Sequence, residues 1–230
     1  MIVAIHQPQY MPWIGYFDKI DKADVFVILD NVQYKKNEWQ NRNRIKTVNG
    51  WQWLTVPVLY KFSEKINEVK INNRSNWQRK HMQALTTNYA KSPMFAQYKQ
   101  PIEDILSGNY EYLSQINIAL IKYFIDVLGI DTRVFIASEF DLTEEPTGRL
   151  IDICKATNSN TYLSGKDGIN YLSIGKFEEY GIKIIFQDFK PPVYNQLYHD
   201  FEPGLSIIDL LFNYGEGSLD IIRNANTQLL

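Results

Sequence analysis

Eight consecutive residues near the N-terminus, His6-Gln7-Pro8-Gln9-Tyr10-Met11-Pro12-Trp13, concentrate more reactive chemistry than any other stretch of the chain. Two prolines fix the backbone of a loop, and an imidazole and a phenol stand four residues apart within it. The loop leaves an apolar run, Ile2 to Ile5, and enters a helical pattern. His6 and Tyr10 are therefore expected near a helix N-terminus, where the dipole favours anions. A neutral imidazole in such a place can act as a general base, and a protonated one can stabilise phosphate.

A second segment, Asp30 to Lys46, mixes amides, guanidinium groups and aromatics, among them Gln33, Tyr34, Asn41, Arg42 and Arg44. That mixture suits phosphate and sugar hydroxyls. Arg42 and Arg44 project the same way if the segment is extended. A third segment, Tyr162-Leu163-Ser164-Gly165-Lys166-Asp167-Gly168, reads as a strand that ends in a turn able to offer backbone N–H groups to an anion. It lacks the spacing of a P-loop. Turn and capping chemistry accounts for Tyr198 to Ser206, including His199, and His81 reads as a structural residue inside a helix. Cys154 reads as a buried structural thiol. With three histidines and one cysteine, no metal site is expected. Neither a Gly-x-Ser-x-Gly nucleophile motif nor a dinucleotide fingerprint is present, which disfavours serine hydrolases and dehydrogenases.

The elements that must position these residues follow from periodicity. Ile2 to Ile5 and Asp24 to Asp30 read as buried strands with a short helix, Trp13 to Ile20, between them. That is the size of a βαβ unit and implies parallel pairing, with His6 and Asp30 at the carboxyl ends where such sheets collect ligands. Trp51 to Val58 alternates like a strand, and Asn67 to Ile71 is a candidate partner for it. Helices are predicted over Ser75–Ala90, with Ser75 as N-cap, and over Phe95–Leu106 and Tyr112–Leu128. Strands and helices then alternate again to the end. The expected fold is α/β, a mostly parallel sheet flanked by helices, with a helical insertion around residues 73–128. The 230 residues are read as a single α/β domain carrying that helical subdomain.

Apolar residues at 45% and charged residues at 22% are ordinary globular usage and argue against disorder. The chain opens without a basic leader and has no apolar run long enough to span a bilayer, so the expectation is a cytoplasmic protein with no membrane association. The net charge of −2 hides an asymmetry: Lys35 to His81 holds 11 Lys and Arg against Glu38, Glu64 and Glu68. A basic stretch of this kind suggests an anionic ligand, a nucleotide diphosphate or a nucleic acid.

Taken together these segments resemble the WbqC-like family. The likeness rests on His6 to Trp13 with Gly15-Tyr16-Phe17, Ala23 to Asp30, Val32-Gln33-Tyr34, Trp39 to Lys46 and Leu54 to Val58. It continues in Tyr162-Leu163-Ser164-Gly165 and Pro203 to Asn213. Members of that family lie in gene clusters that build O-antigens and related glycans. The resemblance therefore implies transfer of an aminoacyl or acyl group, glycine being one, to the amine of a nucleotide-linked amino sugar. Under it His6 is the base, and Tyr10 or Gln33 orients the acyl carbonyl. Arg42, Arg44 and Lys46 bind phosphates, and Trp13 or Tyr34 stacks on the base or sugar. Gln7, Asp30, Asn41, Ser164 and Gly165 complete the substrate contacts. The order of elements is also similar to pantothenate synthetase, which passes an acyl-adenylate to an amine. Here Tyr10 replaces the second histidine of that superfamily's His-x-Gly-His, and no Lys-Met-Ser-Lys-Ser loop follows. The implied donor is an aminoacyl-adenylate made from ATP, or an aminoacyl-tRNA. Two other readings stand beside the transferase: a non-catalytic binding protein of the glycan pathway, and a tRNA-binding aminoacyl transferase whose affinity would fall steeply with salt.

Overall fold

The central strand of the sheet is apolar along its interior because both of its faces are covered. In a computed structural model that describes residues 1–170, 172–198 and 200–225, β1 (Ile2–His6), α1 (Ile14–Asp21) and β2 (Val25–Ile28) form the expected βαβ unit. The two strands run parallel, with Val3 beside Val25 and His6 beside Ile28. Two small antiparallel pairs come next. β3 (Arg42–Thr47) pairs with β4 (Gly50–Thr55), and β5 (Val58–Leu59) pairs with β6 (Lys70–Ile71). Then follow α2 (Trp77–Tyr89), α3 (Phe95–Leu106) and α4 (Leu113–Leu128), the last ended by Gly129 in the left-handed conformation at φ 69°.

The chain rejoins the sheet at β7 (Arg133–Ile136) and continues through α5 (Pro146–Ala156), β8 (Thr161–Ser164), α6 (Ile174–Glu179) and β9 (Lys183–Phe186). It ends with α7 (Ile207–Tyr214) and α8 (Ser218–Asn224). All five main-sheet strands are parallel in the order β7-β2-β1-β8-β9. Counted along the chain, the third, second, first, fourth and fifth sheet strands lie side by side. The order reverses between β1 and β8, which makes their carboxyl ends the switch point of a doubly wound sheet.

Period-two alternation divides the core. Ala4, Phe26, Ile28 and Leu163 face one side, where they join the apolar faces of α1, α4, α7 and α8. Val3, Ile5, Val25, Val27 and Tyr162 face the other, against Ile151, Ile153 and Cys154 of α5 and Phe177 of α6. The first cluster runs on without a break into Leu85, Ile102 and Ile116 of the three middle helices. Those helices therefore share the main core.

Two expectations change. Helix α2 starts at Trp77 with Asn76 at its N-cap and no side-chain cap, while Ser75 Oγ bonds back to Asn72 O at 3.3 Å. The polar stretch expected between Asn31 and Asn49 contains β3. That strand hides from a hydropathy reading because its inward positions are Asn43 and Ile45, which alternate with the charged Arg42, Arg44 and Lys46.

Candidate functional site

His6 ends β1 on the α1 side of the sheet, because it shares the parity of Ala4. Its ring packs edge-on to Tyr16, centroids 4.8 Å apart. Nδ1 lies 3.1 Å from Gln7 O. A carbonyl only accepts, so Nδ1 carries the proton and Nε2 of the neutral ring holds the lone pair. Nε2 has no partner among the described residues. Tyr16 also donates to Gln7 O, at 3.1 Å, which fixes the orienting carbonyl. Burial, and then the nearby Lys19 ammonium, lower the His6 pKa from 6.5 to about 3.

Lys19 was not foreseen. It lies on α1, is 2% exposed, and donates through Nζ to Ile5 O at 2.9 Å. Burial lowers its pKa to about 7. A buried lysine poised near neutrality beside a strand-end histidine is the perturbed pair expected of a working site. One signal for it was in the sequence: a lysine among Ile14, Phe17 and Ile20, on a helix with too few polar positions to have a fully solvated face.

The loop after His6 is held by a clamp. Gln40 Nε2 donates to Gln7 Oε1 at 2.7 Å, Tyr10 N to Trp39 O at 3.0 Å, and Asn43 Nδ2 to Met11 O at 2.8 Å. Asn117, on α4 and fully buried, donates to Gln40 O at 2.8 Å. Met11 sits at φ 46°, left-handed for a non-glycine residue, and is 1% exposed. Strain of this kind persists only where the surroundings over-determine the backbone.

The clamp reassigns several residues. Tyr10 is fully buried and its hydroxyl meets His81 Nδ1 at 2.8 Å, so it faces the core. His81, as expected, is structural, with Nε2 at 3.2 Å from Thr55 O. Asn41 is buried, and Nδ2 donates to Val56 O at 3.0 Å. Both carboxylate oxygens of Asp30 are taken by Ser138, its N–H at 3.0 Å and its hydroxyl at 2.7 Å, so Asp30 ties the ends of β2 and β7. Lys46 is 1% exposed, and Nζ donates to Asp200 O. Its N–H donates to Tyr89 OH, which in turn donates to the buried Asp209.

Trp13 is half-buried, lies against Phe189 with centroids 5.8 Å apart, and folds over Gly15. A Cβ on Gly15 would come within 2.2 Å of that ring. Gln33 is exposed, and its backbone bridges Lys65. Tyr34 is buried under Tyr60. Ser164 is fully buried and shares the parity of Tyr162, so its side chain faces the α5 side, opposite His6. Its hydroxyl lies where a Cβ on Gly168 would come within 2.0 Å, which seals it. Gly165 has open space where a Cβ would stand and carries the turn after β8. Arg42 and Arg44 project together, as expected, from the outer face of the β3–β4 hairpin.

The structure thus brings together His6, Gln7, Tyr16 and Lys19 at the β1 end, with Gly165 at the adjacent strand end and Ser164 separated from His6 on the other face of the sheet. A surface groove of about 720 Å³ lies elsewhere, between α2 and α3, and contains none of these residues.

These features define a doubly wound parallel α/β protein whose central strand ends in a clamped His-Gln-Pro loop. The chain belongs to the WbqC-like protein family, whose model matches residues 7–221. It is 39% identical over 225 residues, 96% of this chain and 97% of the relative, to the uncharacterized protein Rv1507c of Mycobacterium tuberculosis. No solved structure matches it. Among the described residues no helix is long and apolar enough to cross a membrane.

Proposed function

We propose that the protein is a transferase that forms an amide on the amine of a nucleotide-linked amino sugar during O-antigen or related polysaccharide assembly, taking an aminoacyl or acyl group such as glycine. The observation that carries this reading is the placement of His6 at the carboxyl end of β1, beside the β8 end where the strand order reverses. Open parallel sheets take nucleotides there. The tautomer fixed by Gln7 O leaves Nε2 able to accept a proton.

In the reaction the sugar amine attacks the carbonyl carbon of the donor, an aminoacyl-adenylate made from ATP or an aminoacyl-tRNA. As the C–N bond forms, the amine proton passes to Nε2. As the C–O bond to AMP or to the tRNA ribose breaks, that proton leaves with the departing oxygen. An imidazole with a pKa of about 3 is by itself a weak base. A sugar diphosphate arriving beside it raises that pKa, because a nearby anion favours the charged ring. Substrate binding therefore switches the base on, and Lys19, with a pKa of about 7, sets the resting charge beside it.

The same low pKa favours a second reading, a binding protein in which His6 only accepts a hydrogen bond. One substitution and two measurements separate the readings. Thermal shift with UDP- and dTDP-linked amino sugars reports binding, and mass spectrometry after adding donor reports an aminoacyl gain. For the transferase, His6→Gln binds sugar nucleotide and loses turnover. Tight binding by the unaltered protein with no mass gain from either donor rejects the transferase in favour of the binding protein.

A further inference from the structure

The outer face of the β3–β4 hairpin and the loops beside it form a strip in which aromatic rings and cations alternate. Trp51, Trp53 and Trp39 are 41%, 36% and 37% exposed. Trp53 lies 5.4 Å from Trp51 and 5.5 Å from Trp39, centroid to centroid. The Arg44 guanidinium sits over Trp51 at 5.1 Å and Trp39 at 5.8 Å, and Arg42 over Trp53 at 4.2 Å. Beyond Arg42 lies Tyr60, 37% exposed, which covers the buried Tyr34 with rings 5.0 Å apart and carries Lys36 at 5.9 Å. Phe62, 88% exposed, follows in the same connector.

The three tryptophans are not what packs the hairpin. The inward residues of the hairpin, Asn43, Ile45 and Leu54, already supply its packing. Three neighbouring exposed tryptophans are rare on a monomer without a partner for them. The arginines are held ready: Nη2 of Arg44 donates to Pro203 O at 3.3 Å and Gly204 O at 3.1 Å, and Nη2 of Arg42 to Asn37 O. Nε of each is buried without a partner among the described residues.

We infer that this strip binds single-stranded nucleic acid, its bases stacking on Trp39, Trp51 and Trp53 and its phosphates meeting Arg42 and Arg44. Charge decides the occupant. Residues 31–65 carry seven Lys and Arg against Glu38 and Glu64, in a chain whose net charge is −2. A neutral glycan would stack on the rings but leave the guanidinium groups unanswered. A duplex would answer the cations but keep its bases paired and stacked internally. The strip also meets the strand-end site, because Trp39 O accepts from Tyr10 N and Gln40 bonds to Gln7. The inference stands without the transferase reading.

The test uses the full chain, no sugar and no donor. A fluorescein-labelled single-stranded dodecamer is titrated by anisotropy at low and rising salt, with tryptophan quenching followed in parallel. The same-length duplex and a neutral oligosaccharide serve as competitors. Expected are quenching, a steep fall with salt, weaker competition by duplex, and a loss of roughly fivefold or more in Trp53→Ala. Trp53→Phe should keep most of the affinity, and circular dichroism shows whether each variant is folded. Absence of binding at low salt overturns the inference. So does equal binding of duplex with no effect of Trp53→Ala, or quenching by the oligosaccharide but not by the dodecamer.

Discussion

The end of β1 and the outer face of the β3–β4 hairpin are built on opposite plans. At the strand end, charge has been removed: burial holds His6 neutral and brings Lys19 to about 7. On the hairpin, two half-buried guanidinium groups keep their charge and lie over exposed tryptophan faces. A group that must exchange a proton profits from a dry, pre-oriented setting, where small changes of surroundings move its pKa. A surface that grips an extended anion needs exposed cations, whose attraction acts before contact. The two plans meet at Trp39 and Gln40, one segment serving both.

The comparison is tested first where the effect should be largest. His6→Gln should lower turnover by about 10²-fold or more while leaving dodecamer affinity and melting temperature close to those of the unaltered chain. A parallel loss of affinity would join the two regions into one. Tyr10→Ala comes next, as a core change in the middle of the His-Gln-Pro segment. Removing a fully buried ring whose hydroxyl meets His81 should cost about 3–5 kcal/mol in denaturant unfolding. Tyr10→Phe should still fold, losing about 1–3 kcal/mol for the unpaired His81 Nδ1, and keep turnover, and a collapse of its turnover would return Tyr10 to the site.

The pH dependence of stability separates the regions further. His6 and His81 have pKa values lowered from 6.5 to about 3 and about 4. Between those values and 6.5 the unfolded chain binds protons that the folded chain does not. Their contribution to stability is thus complete above about pH 6.5 and is lost as the pH falls toward 4 and 3. Lys19, lowered from 10.5 to about 7, acts in the same sense at higher pH, so stability should rise from pH 7 to 10.5. Lys19→Met should flatten that upper arm and add about 1–3 kcal/mol at pH 7, read by urea unfolding at several pH values, at the expense of activity. The smallest effect is expected on the hairpin. Trp53→Ala should shift stability by no more than roughly 0.5 kcal/mol, and a larger loss would make the strip part of the fold.

The sheet was legible in the sequence because Ile2 to Ile5 and Val25 to Ile28 are short apolar runs bounded by polar residues, a pattern that a strand buried on both faces produces. The clamp was not. Asn41 and Lys46 look like ligand-binding residues because their types are polar, yet they are buried by contacts with Val56 and Asp200, and Asn43 between them by Met11, all partners distant in sequence. Tyr10 was misplaced for the same reason, since its partner His81 lies on α2. The separation of His6 from Ser164 onto opposite faces needs the β1–β8 register, in which Ala4 stands beside Leu163. No local pattern contains that. Arg42 and Arg44 were correctly placed on one face, because alternation is a local property.

The long chain path between β1 and its second neighbour has a consequence for how the protein is made. All residues of the hairpin strip have been synthesised by Phe62, whereas β1 must wait for Thr161 to Ser164 before its other edge is paired. At roughly 5–20 residues per second, the nascent chain spends several seconds with its central strand open along one side. An open parallel edge is a template for the wrong partner. The strand that ends in His6 is therefore also where an interrupted or shortened chain is most exposed to aggregation, and a chain ending before β8 should accumulate in the insoluble fraction.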